Sequence, residues 1–154
     1  MKANDLEIYV DREKYTKADV ISWARNSERS VKSIWEQIKD WSDKQWAVFA
    51  YFDFDSEMID EISDLDIDTW EVNVGGQYLR VLYDNEADDA EDEELDRYLE
   101  EIVYSEIPEY LRQYFDDEKW KSDCCGCRGE NLAHYDGQER EHKVNDELIY
   151  IYRN

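Results

Sequence analysis

The chain of 154 residues is short of positive charge, with 18 Lys and Arg against 41 Asp and Glu and a net charge of −23. Nucleic-acid affinity rests largely on Lys and Arg at phosphates, so this deficit argues against direct binding of DNA or RNA. It disfavours an anionic membrane surface on the same ground. No apolar run reaches the ~18 residues that a membrane helix needs. The start, Met-Lys-Ala-Asn-Asp-Leu, lacks the apolar stretch of a signal peptide. There is one proline, and no Pro- or Ser-rich linker separates two parts. A single domain is therefore expected. The three cysteines are odd in number and crowded into four positions. That is not the disulfide framework of a secreted domain, and a cytoplasmic location is expected.

Catalytic signatures are missing as well. The sequence has no G-x-S-x-G, H-E-x-x-H, Walker A loop or G-x-G-x-x-G. The H-x-E and P-C-x-x-C pair of zinc deaminases is also absent. Acidic pairs occur throughout, so none stands out as a general acid and base. The expectation is a protein that is not an enzyme.

What is present in quantity is aromatic, with six Trp and twelve Tyr. Acidic disordered chains are poor in such residues, so this chain is expected to fold. Its acidity is concentrated. Residues 1–44 hold nine acids and nine bases, residues 45–118 hold 25 acids and three bases, and residues 119–154 hold seven and six. Two blocks dominate: Asp53 to Asp68 has eight acids and no base, and Asp84 to Glu101 has eleven acids and one base.

Periodicity supplies a coarse fold. Leu6 to Val10 reads as a strand. Thr16 and Asp19 have capping-box spacing before a helix reaching about Arg25. Val31, Ile34, Trp35, Ile38 and Trp41 share one helical face. Trp46 to Phe52 is a continuous apolar run, read as a strand buried on both faces. Met58, Ile59, Ile62 and Leu65 lie on one helical face. Thr69 to Val74, Gly75-Gly76 and Gln77 to Tyr83 read as a β-hairpin. Asn85 to Glu91 reads as a flexible loop. Leu95, Tyr98, Leu99, Ile102 and Val103 form an amphipathic stripe. Pro108 can open a helix that buries Leu111, Tyr114 and Phe115. Glu147 to Tyr152 is the last strand. The sum is an α+β fold with an antiparallel sheet of four or five strands and packed helices. Its organisation is an acidic body over residues 1–118 and a small Cys/His module over residues 119–154. The module ends in a strand packed on the body, and the whole forms one domain.

Acidic runs are usually the solvated faces of helices. Two such blocks beside a charge-balanced N-terminal part suggest instead that the field is used, because uniform charge costs stability. The candidate partner-binding residues are Asp60, Glu61, Asp64, Asp84, Glu86, Asp88, Asp89, Glu91, Asp92, Glu93, Glu94, Asp96, Glu100 and Glu101. Carboxylates on successive helical turns recur about every 5.4 Å and can imitate a phosphate track. Such a surface steers toward a basic protein groove and weakens with salt. Tyr78, Tyr83, Tyr98, Tyr104, Tyr110 and Tyr114 lie among the acids and are expected to be mostly core or half-buried. A calcium loop at Asp64, Asp66 and Asp68 fails, since Thr69 stands at the Gly position and Gly75 at the bidentate Glu position.

The soft ligands cluster in the C-terminal part. Cys124 and Cys127 form a C-x-x-C, Cys125 lies between them, and His134 and His142 follow. Zn²⁺ takes four such ligands in a tetrahedron, and a closed site is structural. Asp136-Gly137-Gln138 has turn chemistry and would place residues 134 and 142 opposite each other in an antiparallel pair. The first ligand set is Cys124, Cys127, His134 and His142, and the second exchanges one histidine for Cys125. A redox C-x-x-C normally belongs to a βαβ pattern that is not seen here.

The acidic block from Asp84 to Glu101, the abundant Tyr and Trp, and the compact Cys/His cluster resemble phage-encoded inhibitors of bacterial defence. Antirestriction DNA mimics and anti-CRISPR proteins are the two groups that fit. The Cys124-Cys125-x-Cys127 cluster with its histidines, joined to an acidic body, most resembles a zinc-containing type II-A anti-CRISPR from streptococcal phages. The resemblance implies a protein that acts in the host bacterial cytoplasm, binds Cas9 and stops target DNA from loading. The alternatives are an antirestriction DNA mimic aimed at a restriction enzyme or other DNA-binding protein, and an acidic structural or adaptor protein.

Overall fold

Three two-residue turns organise the sheet. Asp11-Arg12, Gly75-Gly76 and Asn145-Asp146 all have positive φ at both positions. That geometry matches the right-handed twist of a tight hairpin. Each turn joins two antiparallel strands: β1 (Ile8–Val10) to β2 (Glu13–Tyr15), β3 (Glu71–Val74) to β4 (Gln77–Tyr83), and β5 (Arg140–Val144) to β6 (Glu147–Arg153). Gly75 is needed twice over, since a Cβ there would also lie 3.0 Å from the Met58 side chain and 3.1 Å from Phe52.

The computed structural model describes residues 7–66, 71–123 and 128–154. Among these, six strands form one antiparallel sheet in the order β2-β1-β5-β6-β4-β3. The two central strands, β5 and β6, come from the C-terminal part. The expected class, α+β with an antiparallel sheet, is the observed one, with six strands rather than four or five. Two strands, β2 and β5, were not read as strands from the sequence, and neither the Asp-Arg turn before β2 nor the Asn-Asp turn after β5 has the Gly that signals a hairpin.

Four helices and a 3₁₀ turn cover one face: α1 (Lys17–Ser27), α2 (Val31–Ile38), α3 (Asp43–Tyr51), the turn Ser56–Met58 and α4 (Ile59–Ser63). The capping box expected for α1 is present, with the Thr16 amide donating to Asp19 at 2.6 Å. α3 replaces the strand expected over Trp46 to Phe52. Its start has its own box: the Ser42 amide donates to Gln45 at 2.9 Å and the Gln45 amide returns to Ser42 at 3.3 Å. Trp46, Ala47, Val48, Phe49 and Ala50 are all buried because α3 lies between the sheet and the other helices. A helix buried all round has the same continuous apolar pattern as a buried strand. Phe49 is the hub, with ring centroids 5.2 Å from Trp23, 5.4 Å from Trp41 and 5.2 Å from Phe54.

The opposite face carries α5 (Asp84–Tyr98), a π-helical turn (Leu99–Val103), α6 (Tyr104–Glu106), a 3₁₀ helix (Glu109–Tyr114), α7 (Asp117–Asp123) and α8 (Arg128–Leu132). Leu82, Tyr150 and Tyr152 of the sheet pack there against Ala87, Ala90, Leu132 and Ala133. Residues 85–91, expected as a loop, are helical. Tyr83 precedes the helix, and Glu86 reaches back to accept the Tyr83 amide at 3.0 Å. Ala87 and Ala90 are small enough to let α5 lie close on the sheet. The expected burial of Leu111 and Tyr114 is not observed, for the 3₁₀ helix leaves both exposed. Of the six tyrosines named among the acids, Tyr78, Tyr98, Tyr110 and Tyr114 are exposed, against the expectation of mostly core or half-buried positions.

Candidate partner-binding face

The acidic residues divide into those the fold already uses and those it leaves outward. Lys44, only 6% exposed, reaches from α3 to bond Glu86 at 2.8 Å and lies over the Tyr83 ring. Arg128 bonds Asp84 at 3.0 Å, Asp88 at 2.8 Å and Glu139 at 2.9 Å, with its guanidinium stacked 4.4 Å from the Tyr150 ring centre. Lys121 joins α7 to α5 through Asp92 at 2.9 Å and Asp96. Those hydrogen bonds, Asp96 first, raise the Lys121 pKa above the ordinary lysine value. Asn131 donates to Glu91 at 2.9 Å. Glu94 is bound by Arg80 at 2.8 Å and by Arg97. Burial alone would raise the Glu94 carboxyl, but the Arg80 hydrogen bond and charge, followed by Arg97, hold it below the usual range.

In the first block, Asp60 takes Arg29 at 2.9 Å and Gln37 at 2.8 Å, while Glu61 accepts the Gly75 amide at 2.8 Å. Most of the candidate acids therefore hold helices to the sheet or to each other. Asp64, Asp89, Glu93, Glu100 and Glu101 form no ion pair among the described residues. Asp89, Glu93 and Glu100 follow one another along the exposed side of α5 and the π-helical turn. This is the outward acidic stripe.

The stripe ends beside exposed aromatic surface. Tyr98 and Ile102 are exposed, and Tyr110 and Tyr114 are 73% and 77% exposed. The Tyr98 ring stacks on Trp120 of α7, with centroids 5.8 Å apart and planes 11° from parallel. Trp120 was not singled out by the sequence, because α7 is a short charged helix with one aromatic and no period to read. The part played by Arg128 was equally invisible, since its partners lie 40 and 44 positions before it and 11 after it.

The metal candidates fall differently. Cys124, Cys125 and Cys127 lie outside the described residues. His134 and His142 do not face each other, as the sequence reading required. His142 pairs with Ile149 in the β5–β6 ladder and bonds Asp11 at 2.8 Å through Nδ1. Its neighbour Val144 belongs to the core under α3. His134 precedes the Tyr135 amide that bonds Arg153, and it lines a cleft on the α5 side. Ile149 and Arg153 are four residues apart, about 13 Å of strand. The hairpin turn lies at Asn145-Asp146, and residues 136–138 instead lead from α8 into β5. One ion therefore does not take both imidazoles. Among the described residues there is no group of three or more His, Cys, Asp or Glu placed to hold a metal.

Comparison with protein-family models, with curated proteins and with solved structures finds no match to this chain. No helix among the described residues is long and apolar enough to cross a membrane.

Proposed function

We propose that this chain is a phage anti-defence inhibitor that binds Cas9 through an acidic surface and prevents target DNA from loading. It acts by occupying a basic groove, with no chemical step. The observation that supports this reading most is the outward stripe of Asp89, Glu93 and Glu100. It remains unneutralised after the neighbouring carboxylates have taken up Arg80, Arg97, Lys121 and Arg128. Its negative field, beside exposed Tyr98, has the charged and aromatic composition suited to a Lys- and Arg-lined surface.

A nuclease panel tests it, with Cas9 and restriction enzymes each assayed with and without the protein. Inhibition of Cas9, relieved by high salt, is the expected result. Inhibition confined to restriction enzymes would move the target to the antirestriction class. The triple reversal Asp89→Lys, Glu93→Lys and Glu100→Lys is expected to weaken binding about 100-fold at ~0.1 M salt. The same reversal at Glu28, Glu36 and Asp40 should leave it within about threefold, since rim charges far from the contact act weakly. Equal losses from both sets would remove the acidic face as the recognition surface. Glu94 does not belong in such a set, because its loss would strand Arg80.

The cysteine cluster is read as a structural zinc site. The two histidines lie on opposite sides of the sheet and His142 is bonded to Asp11, which supports the second ligand set, Cys124, Cys125 and Cys127 with one histidine, and favours His134 as that histidine. Metal analysis of chain purified without chelator or affinity tag should give close to one zinc per chain. His134→Ala should lower that content, whereas His142→Ala should not. Loss of zinc from the His142 variant alone would overturn this ligand set.

A further inference from the structure

A cleft of about 320 Å³ opens between α5, the π-helical turn, α7 and α8. Leu95, Ile102 and the stacked Tyr98–Trp120 pair supply its apolar walls. Glu94, Glu101 and Glu130 bring carboxylates to it, with Arg97, Asn131 and His134 also on the lining. Arg97 is already bonded to Glu94, and Glu94 is also held by Arg80. Glu101 and Glu130 form no ion pair among the described residues. The volume lies at the small end of ligand sites, the size of one side chain rather than of an extended peptide.

We infer that this cleft receives a single arginine side chain of the basic partner. The inference rests on the reading of the acidic face as a protein-binding surface and adds the group that anchors the contact. A guanidinium is planar and weakly hydrated, so it can lie on aromatic rings while its edge donors meet carboxylates. An ammonium is a compact, strongly hydrated charge that uses ring faces less well. The protein already builds the same combination internally. Arg128 lies on Tyr150 while bonding Asp84, Asp88 and Glu139, and Arg153 stacks on Tyr135 at 3.8 Å. In the cleft the aromatic pair stands with Glu101 and Glu130, neither of which has an ion-pair partner among the described residues, while Arg97 on the lining is taken by Glu94. Arginine and aromatic residues set in desolvated pockets dominate the energy of many protein interfaces.

Tri-arginine and tri-lysine peptides of equal charge, titrated calorimetrically into the full chain at about 0.15 M salt, test the inference. Tri-arginine is expected to bind at least tenfold more tightly. The double variant Glu101→Gln, Glu130→Gln and, separately, Tyr98→Ala should each lose most of that preference. The Asp89, Glu93 and Glu100 reversal should weaken both peptides alike. Equal affinity of the two peptides for the native chain, or a preference that survives the cleft variants, overturns the inference. The two readings fail separately. Should the cleft variants inhibit the nuclease as well as the native chain while the stripe reversal does not, only the arginine anchor falls. A cleft-dependent arginine preference in a chain that inhibits no nuclease would leave the anchor and remove the proposed target.

Discussion

Phe49→Ala is expected to destabilise the fold by about 4 kcal/mol, the cost of removing a fully buried aromatic ring from a packed core. Phe49 is wholly buried and meets Trp23, Trp41, Trp46 and Phe54 edge-on. These four rings belong to α1, α3, the link between α2 and α3, and the segment after α3, so they do not close together over the gap. Urea denaturation followed by Trp fluorescence measures the change as a fall in midpoint with little change in slope. Phe49→Leu, which keeps most of the volume, should cost less than half as much. A loss under about 1 kcal/mol for Phe49→Ala would mean that the aromatic cluster is not the stabilising centre.

Arg128→Met should be the next most damaging change, at about 2–3 kcal/mol. Its guanidinium is the common partner of Asp84, Asp88 and Glu139 and also covers the Tyr150 ring. Methionine can keep some of the contact with Tyr150 but leaves three carboxylates facing one another. Asp84 and Asp88 are more than half exposed, so the figure lies below that for a fully buried network. The penalty has a signature that a packing defect lacks: it should shrink in 1 M salt, where the Debye length is about 3 Å. Urea midpoints at low and high salt, compared with those of Phe49→Ala, separate the two causes. A salt-independent loss would show that Arg128 acts through its apolar stem.

Local chemistry was legible where the signal was local. The Thr16–Asp19 cap, the α2 stripe, the Gly-Gly hairpin and the final strand all depend on residues within a few positions of one another. α3 was misread because continuous burial erases the period that separates helix from strand. The Ser42-x-x-Gln45 start was the one signal that would have decided it. The acidic candidates were named from the sequence as a region and were not sorted. Which carboxylates face outward depends on where Arg80, Lys121 and Arg128 arrive, and those partners come from other elements. The facing histidines were inferred from a turn at Gln138. The sheet puts the turn at Asn145-Asp146, whose positive φ values suit a hairpin equally well without a glycine.

The strand order carries a consequence for how the molecule comes into being. β6 follows every other described element in the chain, yet it lies between β5 and β4 at the middle of the sheet. During vectorial synthesis the β1–β2 and β3–β4 hairpins emerge as separate ribbons with no shared neighbour. They join into one sheet only when the β5–β6 hairpin arrives and pairs with both. Until then β4 presents an unpaired edge, and two-stranded ribbons are marginal by themselves. Assembly is thus set by late, long-range closure, which makes folding slow for a chain of this size.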